Sequence, residues 1–322
     1  MNFKKLASLM MMFVLVLGLV ACNNTTETTE TTDTTQEEVA EETTTEPEVA
    51  EETKETSDSD FDNSAEITVV SREDGSGTRG AFTEITGVLA EVGDEEEDQT
   101  SVEAMIQNST NGVMTAVEGD PNAIGYISLG SLNDSVKPVS VEGVSPEADL
   151  VKSGEYKVAR PFNVAYQTEN IGEIGQDLLN FILSSEGQSV VEEAGYVMAV
   201  NDGEEYTPSG LEGQITVTGS TSVSPVMEKL VEAYNVHNPD VVVDIQSVGS
   251  SAGMTAAMEG TANLGMASRE LKNEELEALE HTAIAIDGIA VIVNNENPLE
   301  DLTMEQVRQI FVGEITTWSE LE

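Results

Sequence analysis

Ile67-Thr68-Val69-Val70-Ser71-Arg72-Glu73-Asp74-Gly75-Ser76-Gly77-Thr78-Arg79 runs from a β-branched segment straight into a turn of glycines and hydroxyls. Ile67 to Val70 reads as a strand, and a helical pattern takes over from Gly80 to Ala90. A strand that turns directly into a helix points the helix's first, unpaired N–H groups at the turn, where the dipole favours negative charge. Arg72 adds a guanidinium fork able to take two oxyanion atoms, with Asp74 placed to hold it. The same arrangement recurs at Thr218-Gly219-Ser220-Thr221-Ser222, after strand Ile215 to Val217. It appears again at Val248-Gly249-Ser250-Ser251-Ala252-Gly253, after strand Val241 to Gln246. One such turn is more often a helix cap than a site. Three of them at the C-terminal ends of strands mark the edge at which open α/β sheets bind ligands.

The flanking sequence continues the alternation. Helices are expected at Val102 to Val117, Ile174 to Ala194, Pro225 to Val236, Gly253 to Glu259, Asn273 to Glu280 and Thr303 to Phe311. Strands are expected at Ala123 to Leu129, Lys157 to Tyr166, Asn263 to Met266 and Ala283 to Val293. Asn201 to Gly213, with Asp202-Gly203 and Pro208-Ser209-Gly210, is a turn-rich linker. Strands alternating with helices argue for an α/β fold with sheets covered on both faces. At 322 residues the chain calls for two domains.

The net charge of -48 excludes a nucleic-acid reader and requires that any anion be held by short-range hydrogen bonds. Lys4 and Lys5 followed by the apolar run Leu6 to Val20 form a signal peptide over residues 1–21. Leu19-Val20-Ala21-Cys22 is similar to a bacterial lipobox, so Cys22 is the expected lipidation site. With a single cysteine there is no intramolecular disulfide. Residues 22–62 read as a disordered Thr/Glu-rich tether: residues 23–62 set 15 acidic residues against Lys54 alone, too little apolar surface to fold and enough charge to stay extended. Its length fits a Gram-positive-type envelope. His237 and His281 have no metal-ligand spacing, and no P-loop or hydrolase elbow occurs, so neither catalysis, metal nor cofactor is expected. Trp318 reads as a packing anchor.

At these residues the chain closely resembles the phosphate-binding protein of bacterial phosphate ABC importers. The matching segments are Thr218 to Val223, Gly249 to Gly253, Gly265-Met266-Ala267-Ser268-Arg269, and Asp287-Gly288-Ile289-Ala290-Val291. They continue with Phe311-x-Gly313-x-Ile315-x-x-Trp318, Arg72-x-Asp74-Gly75-Ser76-Gly77-Thr78 and Gly125-Tyr126-Ile127. The resemblance implies a two-lobed fold of the periplasmic-binding-protein type with a cleft between the lobes. It implies phosphate donors at Arg72, Ser76, Gly77 and Thr78 from one lobe, and at Ser220, Thr221 and Ser250 or Ser251 from the other. Its expected partners are inorganic phosphate, the membrane permease of an ABC importer, and the membrane itself through the lipid anchor, with the protein a monomer on the outer face. A secreted phosphatase-like enzyme, or a binder of another oxyanion such as sulfate, are the alternatives.

Two departures from the family stand out. The Arg72 turn precedes the Gly219 turn, whereas the family has the reverse, so the chain reads as circularly permuted. One lobe is then discontinuous, 63–158 plus 291–322, and the other continuous, 159–290, with 201–213 joining the family's usual ends. Ser268 stands where some members place a carboxylate that accepts the proton of hydrogen phosphate, and Asp287 is the candidate replacement.

Overall fold

The β-branched runs become strands and the amphipathic stretches become helices, in near-strict alternation. The first half contains β1 (Thr68–Arg72), α1 (Gly77–Thr86), β2 (Leu89–Val92), β3 (Glu95–Asp98), β4 (Met105–Gln107), α2 (Thr110–Glu118), β5 (Ala123–Ser128), β6 (Lys137–Val141) and α3 (Ala148–Ser153). Next come β7 (Ala159–Tyr166), α4 (Gly172–Ile182), α5 (Ser185–Glu193), β8 (Val197–Met198), β9 (Gly213–Gly219), α6 (Ser224–His237) and β10 (Val241–Ser247). The remainder is α7 (Ser250–Met258), β11 (Leu264–Ala267), α8 (Asn273–Ala278), β12 (Glu280–Val293), β13 (Asp301–Leu302) and α9 (Met304–Val312). This computed structural model describes residues 61–321 apart from 94. The expected signal peptide, Cys22 and the tether up to residue 60 lie outside the described residues. Among the described residues no helix is long and apolar enough to cross a membrane.

The strands join in the order β10-β9-β11-β7-β12-β5-β1-β4. At one end β10, β9 and β11 run parallel, and at the other β5, β1 and β4 do the same. Antiparallel β7 and β12 connect the two sets. The first part of β12, Glu280 to Gly288, pairs with β7, and Ile289 to Val293 pair with β5. Its apolar run therefore serves two cores. One gathers Phe162, Leu178, Phe181, Val217, Leu230 and Tyr234; the other gathers Phe82, Tyr126, Val139, Val291, Phe311 and Trp318. Side chains alternate across the sheet as the strand period demands: Val69 and Val291 face the second core, while Val70 and Ile292 pack with Val113 and Val117 on the opposite face.

Three expected boundaries shift for local reasons. α1 starts at Gly77 because Ser76 caps it, its Oγ accepting from Arg79 N at 3.3 Å, and ends at Gly87, whose φ of 75° suits glycine. What was read as the end of that helix is the first strand of the β2–β3 hairpin. Met105 to Gln107, read as helix, forms a strand beside β1, and Ser109 caps a helix that begins only at Thr110. The long helix 174–194 breaks at Ser184, which caps α5. Gly187 makes the break possible, since a Cβ there would sit 2.1 Å from the Phe181 carbonyl.

The first and last described segments meet. Ile67 N donates to Thr316 O at 2.8 Å, Ser319 N donates to Asn63 O at 2.7 Å, and Phe61 packs edge-on against the buried Trp318. Trp318 is thus a packing anchor. The linker before β9 lacks regular structure but is tied down: Asp177 Oδ2 accepts the hydroxyls of Tyr206, Ser209 and Tyr234, each at 2.7 Å.

Candidate anion-binding site

The three glycine- and hydroxyl-rich turns come together at the changeover between the two cores. Thr78, in the first turn of α1, lies 2.8 Å from Ser222 Oγ, which follows β9. Ser222 Oγ is also 3.2 Å from Thr110 Oγ1 at the start of α2. Ser220 donates to Ser268 Oγ at 2.9 Å, and Ser250, opening α7, accepts from Ser268 N at 3.2 Å. Thr78, Ser220, Ser222, Ser250 and Ser268 are all buried. The cluster thus gathers the N-terminal ends of α1, α2 and α7 and the turn that leads into α6, and their dipoles favour negative charge at a common point.

Gly77 is required here by space. A Cβ on it would lie 2.3 Å from Ser250 Oγ and 2.7 Å from Ser268 Oγ, so the α1 backbone approaches the opposing turns as only glycine allows. Ser251 is set apart from the cluster. Its N–H donates to Gly75 O at 3.1 Å and its Oγ accepts from Arg269, so it closes the turn rather than entering the hydroxyl group.

Hydroxyl direction decides what the cluster can hold. Arg160 Nη2 donates to Thr78 Oγ1 (3.0 Å), Arg72 Nη2 to Thr221 Oγ1 (3.1 Å), and Arg79 N to Ser76 Oγ (3.3 Å). Ser222 N donates to Ser220 Oγ and Ser268 N to Ser250 Oγ, both at 3.2 Å. Five hydroxyl oxygens are therefore engaged as acceptors by N–H groups, so each can act further only by donating its one proton, as Ser220 already does to Ser268 Oγ. Such a group favours a ligand made of acceptors.

Arg72 is buried at the end of β1, but its carboxylate partner differs from expectation. Glu73, not Asp74, forms the bidentate pair, at 2.8 and 2.9 Å. Asp74 points outward and pairs with Arg79 at 3.1 Å. Arg79 also donates to Arg72 O and pairs with Asp98. Arg269 forms a bidentate pair with the buried Glu275; burial acts to raise that carboxyl, but the bonds from Arg269 and Lys272 N outweigh it and hold it below the usual range. Four arginines thus surround the hydroxyl cluster in a chain with only 13 lysines and arginines, which offsets locally the repulsion of the net charge.

Asp287 stands behind the cluster. Its carboxylate is 2.8 Å from Arg160 Nη1, out of line for a hydrogen bond, and accepts from Gly130 N at 3.3 Å. Burial pushes it up to about 6 in spite of Arg160. Asp287 is thus ion-paired with Arg160 behind the hydroxyl cluster. Sequence reading missed Arg160, Ser222 and Thr110. The signal for Arg160 was a lone charge inside the apolar run Val158 to Val164, while Thr110 was hidden by its assignment to a helix interior. A depression lies elsewhere, beside the linker at Asp177, Asp202, Glu204 and Glu205, where carboxylates would repel an anion.

A family model described as "PBP superfamily domain" matches residues 56–186 and 205–322. "Phosphate-binding protein PstS 2" of Streptococcus pneumoniae is 52% identical over 259 residues, covering 80% of this chain and 89% of that protein. The chain belongs to the phosphate-binding proteins of bacterial phosphate ABC importers. A crystal structure of a phosphate ABC transporter phosphate-binding protein from the same species superimposes with a TM-score of 0.65, covering 80% of this chain and all of that one, at 52% identity. A phosphate-binding protein of Pseudomonas aeruginosa is 36% identical, but over only 129 residues, 35% of this chain and 40% of its own length.

Proposed function

We propose that the protein captures inorganic phosphate outside the cell, between its two cores, and passes it to the membrane permease of an ABC importer. The observation that carries this reading is the set of five hydroxyls whose oxygens are already engaged by N–H donors. So placed, these hydroxyls can act only as donors, which suits an acceptor-rich tetrahedral anion, and Arg72 bridges to Thr221 beside them. Arg72, Ser76, Gly77, Thr78, Ser220, Thr221, Ser250 and Ser268 are its contacts in this account, with Ser222 and Thr110 added and Ser251 and Asp287 supporting from behind. The two cores act as lobes, 63–158 plus 291–322 and 159–290, which close on the anion and desolvate it. Binding and release, without catalysis, are the whole of the role. Cys22 carries the lipid that holds the monomer to the outer face of a Gram-positive-type membrane.

The lobe order is a circular permutation of the usual one. Three observations support this: the contacts between 63–67 and 316–319, the irregular linker that enters β9, and the contrast between a 259-residue match to one relative and a 129-residue match to another.

A second reading, a site less selective against sulfate, is favoured by Ser268, whose hydroxyl sits within the donor cluster where a proton acceptor is otherwise expected. Equilibrium dialysis of the full chain with labelled phosphate, challenged by sulfate, tests both. Stoichiometric binding that resists excess sulfate supports phosphate; displacement by equimolar sulfate supports the second reading; no retained label overturns the proposal.

A further inference from the structure

Arg160 lies outside the glycine-rich turns, yet every arm of its guanidinium is committed to them or to their frame. Nε donates to Ser268 O at 3.1 Å, Nη1 to Gly288 O at 3.1 Å, and Nη2 to Thr78 Oγ1 at 3.0 Å. It is buried, and so is Asp287, its direct cross-strand neighbour. β7 and β12 are the strands that pass from one core to the other, and this pair occupies the changeover. Arg160 therefore touches Thr78 from the first core, Ser268 from the other, and the strand that links them.

We propose that Arg160 is a positioning residue of the anion site that delivers its charge to the bound anion through the Thr78 hydroxyl, with Asp287 as the counter-ion that limits how much of that charge the anion feels. An N–H donated into the Thr78 oxygen polarises the O–H beyond it and fixes where that proton points. Asp287 opposes this from the far side of the guanidinium. The other titratable or charged groups acting on the pair are Tyr156, Tyr196 and Arg72; burial holds both tyrosine hydroxyls protonated, well above their usual range. With the carboxyl already pushed up to about 6, an anion on the other side of Arg160 drives it further the same way, so binding takes up a proton.

The inference rests on the phosphate reading, and its test separates the two. The full chain, its Asp287→Asn variant and the Arg160→Met/Asp287→Asn double variant are titrated with inorganic phosphate by calorimetry from pH 5 to 8, beside their melting curves. Absence of binding by the parent overturns both claims. With the parent binding, Asp287→Asn is expected to bind about 5- to 20-fold more tightly than the parent at pH 8, and equally at pH 5, where Asp287 is itself neutral. Taking the ratio at each pH cancels the titration of phosphate. The double variant removes both charges together and so avoids leaving a lone buried ion. It is expected to melt near the parent and bind at least about tenfold more weakly. A ratio constant across pH, or parental affinity in the double variant, would show the pair to be purely structural and overturn the inference. Should Asp287→Asn not fold, the double variant decides alone.

Discussion

Two polar clusters in this molecule use the same donors to opposite ends. At Asp177 three hydroxyls, from Tyr206, Ser209 and Tyr234, converge at 2.7 Å on a carboxylate oxygen that belongs to the chain. At the changeover between the cores, Thr78, Ser220, Ser222, Ser250 and Ser268 converge on one another, and the nearby carboxylates Glu73, Asp287 and Glu275 are each taken by an arginine. The first cluster holds its own anion and is a tie that fastens the linker. The second has its internal anions paired with arginines and its hydroxyl oxygens engaged by N–H groups, and is the proposed site. What separates structure from function here is who supplies the negative charge.

The largest expected effects fall on opposite sides of that comparison. Arg72→Ala removes the guanidinium that spans to Thr221 and strands Glu73; phosphate affinity should fall about 100-fold or more, by calorimetry, as expected for breaking a largely buried charge contact of about 3–5 kcal/mol. Asp177→Ala should leave affinity unchanged but destabilise the fold by about 3 kcal/mol, read by urea unfolding, because three hydroxyls lose a charged acceptor. If Asp177→Ala weakens binding as much as Arg72→Ala, the two clusters are not separate devices.

Asp287 gives the next effect. Its folded value of about 6 lies above the roughly 3.9 of an unfolded aspartate, so between those values the native state holds the extra proton. Stability should therefore rise as pH falls from about 6 to about 4, by up to about 3 kcal/mol. Asp287→Asn should flatten that part of the melting-temperature profile, and an unchanged slope would assign the titration to another group.

Ser268→Asp would convert the site into a copy of the Asp177 tie. An internal carboxylate claiming Ser220 and Ser250 should weaken sulfate more than hydrogen phosphate, which can donate a proton to it, by about tenfold in the ratio of dissociation constants. Thr110→Val is the mildest change. Thr110 reaches the cluster only through Ser222, so affinity should drop no more than about threefold, within the worth of one neutral hydrogen bond.

Much of this was legible in the residues. The β-branched runs before Arg72, Ser220 and Ser250 are the strands expected, and the three turns do meet, because strand ends of parallel units share an edge. Boundaries failed where a capping side chain overrode periodicity: Ser109 and Ser184 end patterns that read as continuous helix. The Glu73-for-Asp74 exchange was illegible, since either carboxylate is close enough in sequence to reach Arg72 and only the folded turn shows Glu73 on it and Asp74 on Arg79. Arg160 escaped because its contacts are to residues 82, 108 and 128 positions away, which no local motif encodes.

Thr78 joins Arg160 to the hydroxyl cluster. Its oxygen accepts from Arg160, it lies 2.8 Å from Ser222 Oγ, and valine replaces it with little change in volume. Calorimetric titration of phosphate into the Thr78→Val chain should show binding weakened about 30-fold or more, at a melting temperature within a few degrees of the parent. Phosphate bound by Thr78→Val as tightly as by the parent would contradict the claim that inward-directed hydroxyl protons make this cluster the site.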